Sequence, residues 1–123
     1  MNAYSRAQRA YSAASAPTRT HRGTEYEAVA RITHRMQSAA EKGPAGFVAL
    51  VEALHDNKKL WNIFAIDVAD ANNTLPNDLK ARIFYLAEFT HHHTSRVLAR
   101  EVSVRALLDI NKSVLRGLRG EAA

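Results

Sequence analysis

Leu60-Trp61-Asn62-Ile63-Phe64-Ala65-Ile66-Asp67-Val68 decides how this chain folds. Wound into a helix, the run is apolar nearly all round. Trp61, Ala65 and Val68 continue a row that begins at Phe47, Leu50, Val51 and Leu54 and recurs at helical spacing. Leu60, Ile63 and Ile66 fall outside that row. A helix with apolar residues on every side is either central to a core or covered by a partner. The core is the favoured reading. Asn57-Lys58-Lys59 interrupts the row and allows a kink there.

Helical signals surround this run on both sides. Upstream, Val29, Ile32, Met36 and Ala40 form a second apolar row, and Thr24 with Glu27 has the spacing of a capping box. Gly43-Pro44 ends that helix, because Gly suits a left-handed exit and Pro suits a first turn. Downstream, Asn72-Asn73-Thr74 makes a turn, with Pro76 at the first position of the next helix. Leu79, Ile83, Leu86, Thr90 and Val97 share one face of that helix, which runs to about Arg100. Ser103 caps a final helix over 104–119, with Val104, Leu107, Leu108, Leu115 and Leu118 on its apolar face. Residues 2–14 form a short Ala-rich helix carrying Tyr4 and Tyr11, and 15–23 read as a linker. The expectation is one all-α domain over 1–123, a bundle of about five helices with no sheet. Its basic N-terminal helix and linker occupy 1–22 and its helical core 24–119.

Composition excludes more than it assigns. The chain has no cysteine, so disulfides, thiolate metal sites and a cysteine nucleophile are ruled out. No apolar run reaches the roughly 18 residues of a membrane helix, and no signal peptide is visible. These features point to the cytoplasm and against membrane insertion. His91-His92-His93 invites a metal, but successive helical residues point about 100° apart, so adjacent imidazoles cannot converge on one ion. His91 and His92 are expected at the surface and His93 beside the apolar row. No Gly-rich phosphate loop or nucleophile elbow is present. No catalytic residue, metal, cofactor or small-molecule substrate is expected, and the chain is read as a non-enzyme. The net charge of +5 attracts nucleic acid, acidic proteins and membrane surfaces alike.

Several pieces of the chain occur together in a familiar order. They are Asn2-Ala3-Tyr4 with Tyr11, Asn57-Lys58-Lys59-Leu60-Trp61, Asp67-Val68-Ala69-Asp70 leading to Leu75-Pro76, and Leu86-Ala87-Glu88-Phe89. The ending joins Leu108-Asp109-Ile110-Asn111-Lys112 to Arg116-Gly117-Leu118-Arg119-Gly120. Jointly they resemble the FlaF family of alphaproteobacteria. The resemblance implies a role in flagellar biogenesis after transcription of the flagellin gene, in functional opposition to the regulator FlbT. It also implies flagellin as a partner, held as an export chaperone would hold it, with FlbT a further possible contact.

Two surfaces are candidates for such work. In the first, Leu60, Trp61, Ile63, Phe64 and Ile66 meet Tyr85 and Phe89 of the following helix to line a flagellin groove. The competing expectation is that other helices, including the N-terminal one, cover these residues, and the Tyr4/Tyr11 row is the next candidate groove. In the second, Arg105, Lys112, Arg116 and Arg119 fall within a sector of roughly 60° on the final helix. That row would serve an RNA-binding regulator of flagellin message, or would simply complement a helix dipole and solvate the surface. Trp61 is also expected as a core anchor whose indole N–H finds a partner, and Asn111 as a residue that bonds a neighbouring turn.

Overall fold

The computed structural model describes residues 21–118 of the chain, with side chains from residue 25. Four α-helices are found there: α1 (His21–Glu41), α2 (Phe47–Ala69), α3 (Asn77–Leu98) and α4 (Arg105–Leu118). A single 3-10 turn, Gly43–Gly46, joins α1 to α2. No strand occurs among the described residues. The all-α class therefore holds with four helices rather than five. The helix expected over 2–14, most of the linker and Arg119 lie outside the described residues.

The boundaries correct the sequence in three places. α1 begins at His21, so Thr24 sits within its first turn and not at its cap, and 21–23 are helical rather than linker. Pro76 is the N-cap of α3, one position before its first helical residue, and its carbonyl accepts the Lys80 N–H at 3.0 Å. α2 runs unbroken through Asn57-Lys58-Lys59. What interrupts the apolar row there is a fully buried amide, not a kink. Ser103 does cap α4, its Oγ accepting from the Arg105 N–H at 3.3 Å.

The α1–α2 connection is tight for two reasons. Gly43 adopts φ +62°, the left-handed conformation that favours glycine. Gly46 is buried, and a Cβ there would collide with the Ala39 carbonyl oxygen at the end of α1. Gly46→Ala is therefore expected to cost on the order of 3 kcal/mol, since backbone must move to admit the methyl. Chemical denaturation checks this, and a variant as stable as the parent would show that the turn has room.

α2 packs against α1 and α3, and α1 packs against α4, while α3 and α4 meet only sparsely. Val29, Ile32 and Met36 of α1, Leu54 and Leu60 of α2, and Leu107 of α4 form a continuous core with Val104. From α3 only Val97 belongs to it. Beside the core lies a buried polar network. Asn111 of α4 accepts a hydrogen bond from Trp61 Nε1 at 2.9 Å through its Oδ1. Its Nδ2 donates to Asn57 Oδ1 at 2.9 Å and to Thr33 Oγ1 at 3.1 Å. Thr33 Oγ1 in turn donates to the Val29 carbonyl. One amide thus joins α1, α2 and α4 with every one of its polar atoms engaged. At the surface, Arg35 and Asp56 pair at 2.8 Å, and this hydrogen bond holds the Asp56 carboxyl below its ordinary pKa.

Candidate functional site

α2 and α3 are antiparallel neighbours joined by a short turn. Three side-chain bonds set that turn: Asn72 N–H to Asp70 Oδ1, Asn73 Nδ2 to the Asp67 carbonyl, and Leu75 N–H to Asn73 Oδ1. Small residues on the facing rows leave a furrow on one flank of this pair. Ala65 and Ala69 on α2 and Ala87 on α3 are among its lining residues, together with Trp61 and Thr90. Ile66 and Phe84 are its large apolar members, 53% and 45% exposed. Lys58, Glu88, His91 and His92 supply the polar rim of a space of about 580 Å³.

The helical rows that line this furrow extend beyond it. On α2, residues 62, 58, 55, 51 and 48 recede at i−3 or i−4, so Val51 and Val48 lie on the same flank. On α3, residues 84, 87, 91, 94 and 98 advance in the same way and bring Leu98 onto that flank. Val48, Val51, Ile66, Phe84 and Leu98 are five of the seven large apolar residues left exposed among the described residues. They stand at two ends of the α2–α3 pair, Ile66 and Phe84 in the furrow and Val48, Val51 and Leu98 beyond it, with Asn62, Lys58, His55 and His91 between them. Residues 58–69 of α2 line the furrow, so it is about 18 Å long.

The groove expected from the sequence is therefore corrected. Leu60 is buried in the continuous core, and Trp61 is only 2% exposed, bonded to Asn111 and edge-on to Phe64. Phe64 is half-buried and packs on the core, and Ile63 is half-buried. Tyr85 is well exposed, and Phe89 is half-buried and stacked on His93 with ring centroids 5.0 Å apart. At about 100° per residue, Tyr85 and Phe89 project some 100–140° away from Phe84, onto the other flank of α3. Of the seven expected residues only Trp61 and Ile66 line the groove. The signal that finds Phe84 is its i, i+3 spacing from Ala87 on the furrow side of α3, which is lost when apolar residues are counted without their angle.

Arg105, Lys112 and Arg116 are exposed on α4 as expected, and Arg119 lies outside the described residues. Arg105 and Lys112 share a shallower furrow with Glu41 and Asp109, so carboxylates stand between the cations. Arg116 Nη2 donates to Ser113 Oγ at 2.9 Å. The face is mixed in sign rather than a basic track. His91 and His92 are exposed and His93 is half-buried, and no three metal-ligating side chains converge among the described residues. No described helix is long and apolar enough to cross a membrane.

Comparison with known proteins gives one finding. The family model described as Flagellar protein FlaF matches residues 7–118, while no curated protein and no solved structure matches. That match takes in all four helices and both walls of the groove, and on it the chain belongs to the flagellar protein FlaF family.

Proposed function

We propose that this flagellar protein binds flagellin and holds one of its amphipathic helical segments in the α2–α3 groove before export. One observation carries the reading: Ile66 and Phe84, both large, apolar and exposed, line one open furrow with the small residues Ala65, Ala69 and Ala87. Scattered exposed leucines need no explanation, but large apolar residues gathered in one furrow do. Its length suits a helix of about 12 residues, the helix-in-groove mode of recognition. Occupancy of the groove would report free flagellin to the apparatus that makes it, which gives the protein a post-transcriptional effect opposed to that of FlbT. The protein is read as a cytoplasmic non-enzyme whose chemistry is binding alone.

Salt separates this reading from recognition of flagellin message through Arg105, Lys112 and Arg116. Apolar burial changes little with ionic strength, whereas each phosphate contact released by salt steepens the fall in affinity. Purified protein titrated with purified flagellin is expected to bind with nearly the same affinity at about 50 mM and about 200 mM salt. Absence of flagellin binding, together with tight and salt-sensitive binding to the flagellin leader RNA, would replace the groove by the α4 face.

A further inference from the structure

α3 is attached differently from the other three helices. The polar network ties α1, α2 and α4 together through Thr33, Asn57, Trp61 and Asn111, and no α3 side chain takes part. The continuous core draws only Val97 from α3. The other buried residues of α3 are Ala87, Thr90 and Thr94, which bring little apolar area, while Phe84, Tyr85 and Leu98 stay exposed. Small facing residues let α3 lie close to α2 in the most extensive helix pairing of the bundle, but the fully buried α3 residues in it bring little apolar area. It has almost no second neighbour, because its meeting with α4 is sparse.

The α3 side of the seam is also imperfectly satisfied. Three buried side-chain atoms among the described residues lack a hydrogen-bond partner: Thr90 Oγ1 and His93 Nε2 on α3, and Asn57 Nδ2 on α2. Thr33 and Thr94 show the alternative, each donating one turn back to its own helix, to the carbonyls of Val29 and Thr90. Thr90 makes no such bond and is 1% exposed. A buried polar atom without a partner favours any state that wets it. Both ends of α3 are non-helical connections: 70–76 on one side, and 99–104 on the other, where Arg100 takes φ +61°.

We propose that α3 is a displaceable arm that opens as a unit from a lasting α1–α2–α4 core and uncovers the Trp61–Ala65 face of α2 for the incoming helix. Opening wets the two unpaired atoms of α3, Thr90 Oγ1 and His93 Nε2, and widens the groove from a furrow to a full helix-sized berth. The arm itself is independent of what binds; its use as a gate rests on the flagellin reading above.

Native-state hydrogen exchange on the full chain tests the arm. Amides of 77–98 are expected to share one opening event, at least about tenfold more frequent than that of α1, α2 and α4. Thr90→Val removes the unpaired hydroxyl and should slow α3 exchange several-fold. Val97→Ala removes its one tie to the core and should speed α3 exchange on the order of tenfold. Both should leave the other helices unchanged. Equal protection of all four helices, or both substitutions moving all four together, would overturn the proposal. For the gate, Thr90→Val should weaken flagellin binding by the factor by which it slows α3 exchange, because the competent state is rarer. Unchanged affinity in a variant whose α3 exchange has slowed would overturn the gate. Failure of the parent protein to bind flagellin at all would instead overturn the flagellin reading, with the exchange results still deciding the arm.

Discussion

Asn111→Ala is expected to lower the melting temperature by roughly 10–20 °C, at about 3–6 °C per kcal/mol for a domain of this size. The reason is local. Asn111 is fully buried and, among the described residues, is the one hydrogen-bond partner of both the Trp61 indole N–H and the Asn57 side chain. Truncation strands both groups, and each stranded buried group costs about 1–3 kcal/mol before the lost volume is counted. Thr33 loses an incoming bond but keeps its own to the Val29 carbonyl. Arg116→Ala on the exposed side of the same helix is the control and should move stability by less than about 0.5 kcal/mol. Thermal unfolding followed by circular dichroism gives the answer. If Asn111→Ala melts within about 5 °C of the parent, the network is ornamental and the core alone holds α4.

Changing Ile66 and Phe84 together to Asp is expected to reduce flagellin affinity at least a hundredfold without unfolding the bundle. Burying each such side chain contributes about 1.5–3 kcal/mol, and 1.4 kcal/mol is tenfold in affinity. Both are about half exposed in the free protein, so the charges can reach solvent there. Tyr85→Asp supplies the contrast. Tyr85 is 66% exposed, more than either residue, but stands on the other flank of α3. It should bind flagellin close to normally. Titration calorimetry on the two variants ranks the flanks, and loss of binding on Tyr85→Asp with retention in the double variant would move the site off the groove.

The bundle was legible in the sequence because apolar rows at 3.6-residue spacing and glycine or proline punctuation act locally. Gly43 and the Asn72-Asn73 turn stand where those signals placed them. The N-terminus of α1 was misplaced because a Thr-x-x-Glu spacing also occurs within helices, where it has no capping role. The groove was only half legible. Leu60 lies off the row shared by its neighbours, which suggested a free surface, but α2 is flanked on two sides and its core-facing arc is wider than one row. Width of burial depends on how many helices surround an element, and that is a property of the assembled bundle. The indole N–H of Trp61 was expected to find a partner, and Asn111 was expected to be polar on an apolar face for a local bond. That the two satisfy each other across helices needed the third dimension.

The amide at 111 also sets an order of events in folding. Its partners lie 50, 54 and 78 residues earlier in the chain. The α2–α3 hairpin, by contrast, closes over a turn of a few residues. Loop closure becomes costlier with the length enclosed, and distant pairings come late. A growing chain can therefore pair α2 with α3 while Thr33, Asn57 and Trp61 still keep their polar atoms in water. Only when α4 arrives do those atoms leave solvent together. The Asn111 knot thus works as a late checkpoint: until it ties, the partly built protein keeps a wet and adjustable centre, and once it ties, three helices lock in a single step.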